Sequence, residues 1–276
     1  MQVAASQPSR IQPRRPSYDF REVPRYWLGG NVWGTHMANA INLLFPSGER
    51  FFMRSVKAYV DQLEDPRLRE QIRGFLAQEA LHGAEHEHFF AQLEAQGYEL
   101  KSFLAFYEHL AWSVLEPRLS PELRLAVTVS LEHFTASFAH HMLTRNGIEG
   151  VDPTMRALMR WHAAEEIEHK AVAFDVLRAV APGYRNRALG HLLATAGLLG
   201  FWWIGAYRLM QQDPNARWWR LIRDRRRAHR QGDLALGDIA RSFLAYLRPD
   251  FHPWQVADYA LAERELRAQG LPVGAG

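Results

Sequence analysis

Two short motifs, Glu79-Ala80-Leu81-His82 and Glu166-Ile167-Glu168-His169, constrain this chain more than any other feature. Residues three apart lie on one face of a helix, so each motif can present a carboxylate and an imidazole to one ion. A single Glu-x-x-His arises easily by chance and reads as a solvated surface pair. The case for a metal centre therefore rests on what the neighbouring helices bring to the same level.

Helix signals recur along the chain, and strand signals are scarce. Asp65-Pro66, Ser120-Pro121 and Asp152-Pro153 each pair a capping residue with proline at the first helical position. With Gly97 and Gly147 as stop signals, they predict helices over about 66–96, 121–146 and 153–180. An earlier helical stretch runs from about Thr35 to Glu64. Pro46 is expected to break or kink it, with Ser47 capping the half that begins near 48. The link at about 98–120 carries a shorter helix around Phe103–Leu115. Two hairpins joined by one long crossover give the expected fold class: all-α, a ferritin-like four-helix bundle with an added C-terminal helical segment.

The hairpins test the motifs. Glu49 lies 16 residues before the turn at Asp65 and Glu79 lies 14 after it. At about 1.5 Å per residue these are roughly 24 and 21 Å from the turn, nearly one level. Glu132 precedes Asn146 by 14 residues and Glu166 follows Pro153 by 13, which repeats the arrangement. Bundles that hold two metals use one Glu from each of two helices and a Glu-x-x-His from each of the other two. Glu49, Glu79, His82, Glu132, Glu166 and His169 form that set. Thr128 and Thr135 share the Glu132 face and are candidates to orient it, although helix-packing threonines are commoner. Glu165 and Glu168 point about 100° and 200° away from Glu166 and are expected in salt bridges or in water, and His133 is off the Glu132 face.

With no cysteine in the chain, thiolate chemistry and disulfides are excluded, so any metal must be held by His and carboxylate. Such ligands suit iron or manganese, with zinc possible, and two divalent cations, iron favoured, would balance four carboxylates.

The stretches Phe45-Pro46-Ser47-Gly48-Glu49-Arg50-Phe51-Phe52, Gln78–His82, Leu131-Glu132-His133-Phe134-Thr135 and Trp161–Asp175 resemble those of a bacterial family labelled predicted metal-dependent hydrolases. The resemblance covers about residues 25–250. The ligand pattern also resembles ferritin-like di-iron oxygenases, including arylamine N-oxygenases. Those carry a His-x-x-x-Glu-x-x-His helix whose first histidine is a seventh ligand, and by that resemblance His162 is a candidate ligand. His86, four after His82, falls on the same side and is expected to stand behind the ligands.

Residues 188–207 form the most apolar stretch, long enough for a membrane span. Arginines flank it, and Arg217–Arg227 mixes tryptophan with arginine. A buried helix or homodimer interface, or a membrane surface contacted through 188–230, are the expectations; nucleic acid is not, for want of a recognisable module. Residues 1–180 carry 19 basic and 22 acidic side chains, residues 181–276 carry 14 and 8, so the tail is basic. The first twenty residues hold three prolines and no apolar run, so residues 1–24 read as an arm without fixed structure and the chain as cytoplasmic. The domain reading is this arm, a metal-binding bundle over 25–180, and a tail over 181–276 packed on the bundle or a membrane. The expected activity is O2-dependent oxidation of a small apolar or aromatic substrate at a two-metal site. The alternatives are a two-metal hydrolase of an ester, amide or phosphate, and a non-enzymatic metal-binding or membrane-associated protein.

Overall fold

A computed structural model describes residues 10–144, 150–231 and 236–274. The protein is all-α: among the described residues the only strand-like pairing is an isolated bridge between Leu28 and Val151. Four helices surround the level of the two motifs. They are α1 (Val32–Lys57), α2 (Pro66–Ala95), α4 (Pro121–Thr144) and α5 (Pro153–His169), and α1 packs on α2 and α4, while α5 packs on α2 and α4. Between the two pairs lies α3 (Lys101–Glu108), which continues as a π-helical segment over His109–Leu115.

The capping signals act as their chemistry demands. Asp65 accepts from the Arg67 amide, Ser120 from Leu123, and Asp152 from Thr154 and Met155, each satisfying donors that a helix start leaves unpaired. Gly147 and the turn predicted there lie outside the described residues, as do the first nine residues of the arm.

Three expectations are corrected. Pro46 does not end a helix, because α1 runs through it without interruption. Burial of Leu43, Leu44, Ser47, Gly48 and Glu49 on either side holds this turn in place, and tertiary packing outweighs the lost backbone bond. The Ser47 hydroxyl donates to Glu108 instead of capping a new start. The helix predicted over 153–180 is two: α5 stops at His169 and α6 (Val172–Val180) resumes after a turn at Lys170, whose buried ammonium binds Asp258 and the Val256 carbonyl. Residues 10–24 are not a loose arm. Ile11, Arg14 and Phe20 are buried, and Arg14 reaches the far side of α5.

The tail closes the molecule. Helix α7 (Tyr184–Gln211) lies against α1 and α4, α8 (Trp218–Gln231) against α1, α9 (Leu236–Tyr246) against α4, and α10 (Tyr259–Ala268) against α5. Gly190 is a place where glycine is required: a Cβ there would sit 2.6 Å from Ala126 Cβ. Two apolar clusters fill the interior. One is centred on Trp27, Phe89, Met155 and Trp161, and the other on Phe51, Ile72, Phe75 and Leu125. The motif residues are buried in this same interior, which is why unpaired charge among them matters.

Candidate metal centre

Glu49 comes from α1, Glu79 and His82 from α2, Glu132 from α4, and His162, Glu166 and His169 from α5. All seven are buried; Glu79, His82 and His169 have no solvent exposure at all. The hairpin spacing brought them to one level, and their ligand atoms form overlapping groups. Glu79, Glu166 and His169 lie within 4.8 Å of one another, as do His82, His162 and Glu166, and Glu49, Glu79 and His82.

Two sides can be distinguished. On one, His169 Nε2 lies 3.1 Å from Glu79 Oε1, 3.4 Å from Glu132 Oε2 and 3.6 Å from Glu166 Oε2. On the other, His82 Nδ1 lies 3.7 Å from Glu166 Oε1 and His162 Nε2 lies 2.8 Å from that oxygen and 4.0 Å from Glu49 Oε1. Glu166 therefore offers one oxygen to each side. Glu79 Oε1 is similarly shared, 3.8 Å from His82 Nδ1 and 3.1 Å from His169 Nε2.

These atoms lack partners. Both oxygens of Glu49, Glu79 and Glu132, with Glu166 Oε2, His82 Nδ1 and His169 Nε2, make no hydrogen bond of proper geometry although buried. Leaving so many polar atoms unsatisfied costs several kcal/mol. A hard or borderline divalent cation is the partner that such donors fit. Burial, reinforced by mutual repulsion, drives the Glu49 and Glu79 carboxyls well above their usual range, and burial brings Glu132 to about 7. Glu166 is held low despite burial, because His169 and His162 favour its charge. Burial lowers His82, whereas the surrounding carboxylates overcome burial to raise His169.

The histidines are oriented from behind. His82 Nε2 donates to Glu165 (3.0 Å), which turns Nδ1 toward the carboxylates. His169 Nδ1 donates to Gln78 Oε1 (2.9 Å), leaving Nε2 for the cluster. The Gln78 amide is itself fixed, since its Nε2 donates to Glu168 (2.8 Å) and to the Gln12 carbonyl. Glu165 and Glu168 both bind Arg14, at 2.9 and 2.6 Å from Nη1. Glu165 and Glu168 thus do form salt bridges, but inside the protein. Such outer partners set the tautomer and ring direction of ligating histidines. No sequence signal gives Arg14 or Gln78 this orienting role. Arg14 sits in a proline-rich stretch with no periodicity to flag it, and Gln78 is told apart from other helix residues only by preceding Glu79.

His86 is closer to the cluster than expected. Its Nε2 lies 2.7 Å from His162 Nδ1, as a residue behind a ligand should, but it also groups with Glu49 and His162 as a donor set, and its Nδ1 has no partner. Phe45 stacks on its ring at 4.6 Å. Thr128 is buried with an unpaired hydroxyl, free to orient a neighbour. Thr135 is not free to do so, because its hydroxyl donates to the Glu132 backbone carbonyl one turn back. His133 faces α9, where it meets the Ser242 carbonyl, and His36 binds Asp213 at 2.8 Å, both apart from the cluster.

No curated protein and no solved structure matches this chain in comparison. A family described as predicted metal-dependent hydrolases matches it over residues 12–257, a span that takes in every donor above. The chain belongs to that family of predicted metal-dependent hydrolases.

Proposed function

We propose that the protein is a metal-dependent hydrolase with two divalent cations, held by Glu49, Glu79, His82, Glu132, His162, Glu166 and His169. The observation that carries this reading is the set of buried carboxylate and imidazole atoms without hydrogen-bond partners. Two sides bridged by Glu166 and Glu79 argue for two ions, and four carboxylates match their charge. Bound divalent cations would supply a water of lowered pKa and polarise a scissile ester, amide or phosphate. The chain's own part is to fix geometry and keep the site dry. Glu165 and Gln78 hold the two histidines, the buried Thr128 hydroxyl is left unpaired, and Trp161 and Phe75 wall the rings of His82 and His169 at 5.0 Å.

A second reading, O2-dependent oxidation with iron, is favoured by two features. Every donor is buried, which suits a reactant as small as dioxygen, and His162 stands where the resemblance to N-oxygenases places a seventh ligand. Manganese or zinc would fit the same donors in the hydrolytic reading.

The deciding experiment loads the metal-free protein with Fe(II), Mn(II) or Zn(II) and follows two signals: release of acid or phosphate from a panel of esters, amides and phosphomonoesters, and uptake of O2. Hydrolysis by the Mn or Zn form supports the hydrolase. Stoichiometric O2 uptake by the Fe form alone, without hydrolysis by any form, replaces it with the oxidase reading.

A further inference from the structure

Helix α7 has two faces of different character. Its inner face is fixed to the protein. Gly190 lies against Ala126, His191 Nδ1 meets Ser130 Oγ at 2.7 Å, and Trp202 Nε1 donates to the Met37 carbonyl at 2.8 Å. Its outer face carries Leu189, Leu192, Leu193, Leu199, Trp203 and Ile204, all exposed, with Leu192 at 54% and Trp203 at 53%. With the exposed Ala196 between Leu193 and Leu199 they recur at helical spacing, so they form one continuous stripe. From Leu189 to Tyr207 it runs about 27 Å and contains no charged residue. An exposed apolar surface of this extent marks a contact site.

What adjoins the stripe identifies the partner. Tyr207 and Arg208 end it, and Trp218, 74% exposed, opens α8 a few residues later. From Arg208 to Arg230 there are eight arginines and two acids. Both acids are buried and turned inward: Asp213 binds His36 and Tyr26, and Asp224 caps the start of α1 through the Val32 amide. Arg217, Arg225, Arg226, Arg227 and Arg230 are exposed.

We propose that the outer face of α7, with the arginines of α8, docks on the surface of an anionic lipid bilayer. Apolar side chains flanked by Trp, Tyr and arginine are the composition that seats a helix at the headgroup boundary. Arginines next to it add attraction to anionic headgroups. Helix α7 is long and apolar enough to cross a membrane by length and composition. It nevertheless lies on the bilayer instead of crossing it, because its inner face is bonded to α1 and α4. A second copy of the chain is disfavoured as the occupant, since pairing on this face would bring two strongly basic segments together.

The test is flotation of the full-length protein with vesicles of phosphatidylcholine alone or mixed with phosphatidylglycerol, at low and high salt. The protein should float with the mixed vesicles, weakly with neutral ones, and less at high salt. Leu192→Glu combined with Leu199→Glu should abolish flotation. R225Q/R226Q/R227Q should weaken binding to anionic vesicles about a hundredfold. Should the leucine variant lose its far-UV helical signal, the arginine variant decides alone. Failure of the wild type to float with anionic vesicles overturns the proposal, as does flotation unchanged in both variants. So does a stable dimer in solution that Leu192→Glu dissociates while no vesicle binds.

Discussion

Arg14 and Glu168 form a two-pronged buried ion pair, with Nη1 and Nη2 of the arginine 2.6 and 2.8 Å from the two carboxylate oxygens. Through Glu168 and Gln78 this pair reaches His169, and through Glu165 it reaches His82. The N-terminal arm is thereby tied to the orientation of both motif histidines. Removing the arginine leaves two carboxylates uncompensated in the interior, and Arg14→Met is expected to cost about 3–5 kcal/mol. Arg14→Lys should not restore it, since an ammonium cannot make the forked contact. Urea unfolding of the metal-free protein measures this directly. A loss below about 1 kcal/mol would place the arm outside the cooperative unit.

Glu165→Gln keeps the size of the side chain and removes its charge. It should leave the fold intact and weaken metal binding by about 10–100-fold, because His82 Nε2 then faces a neutral, weaker amide acceptor in place of the carboxylate that aims Nδ1 inward. Competition with a chelator of known affinity reads the change. Equal affinity in variant and wild type would mean that His82 needs no charged orienting partner.

At Gly83, α2 passes close to α1 beside the site. A Cβ there would lie 2.9 Å from Glu49 Oε2 and 3.6 Å from Pro46 Cα. Gly83→Ala is therefore expected to displace the Glu49 carboxylate and reduce affinity at one ion more than at the other, while thermal stability changes little. Titration showing two unchanged sites would remove Glu49 from the donor set.

Metal uptake should release protons. Burial, the largest cause, raises Glu49, Glu79 and Glu132 in the metal-free protein, Glu132 to about 7, so Glu132 is partly protonated at neutral pH and the other two shift in the same direction. Cations bind their ionised forms, so apparent affinity should rise with pH between about 5 and 8. Calorimetric titration in two buffers of different ionisation enthalpy counts the protons, and a pH-independent affinity would contradict the protonation assigned to these groups.

His191 gives stability a separate dependence. It is stacked on Tyr246 at 4.3 Å, and burial lowers it to about 4 from an ordinary 6.5. Because the folded protein favours the neutral ring, its contribution is fully present above 6.5 and is lost as pH falls toward 4. The loss is expected to be on the order of 2 kcal/mol for the wild type. His191→Gln, which keeps a hydrogen-bonding side chain opposite Ser130, should be flatter over the same range. Denaturant unfolding at pH 7.5 and 4.5 compares the two.

Much of the site was legible in the sequence because helical geometry is local. The levels of Glu49 with Glu79 and of Glu132 with Glu166 followed from residue counts to two turns. What was not legible depends on tertiary contact. Pro46 should stop a helix by its own chemistry, yet packing around Glu49 carries α1 through it. The helix stops at His169, and Lys170 in the turn pairs with Asp258, which is remote in the chain. Arg14 has no periodic neighbours, so nothing local could place its guanidinium between Glu165 and Glu168. Composition marks 188–207 as apolar throughout, but only the packing shows which residues stay outside.

Two divalent cations among the buried donors are what the proposed function requires. The most direct measurement is the metal content per chain, by mass spectrometry, of wild type, Glu79→Ala and His169→Ala after loading and removal of excess metal. Two metals in the wild type, with loss of one or both in each variant, is the expected result. Full retention of both metals in either variant, or a wild type that binds none, would contradict it.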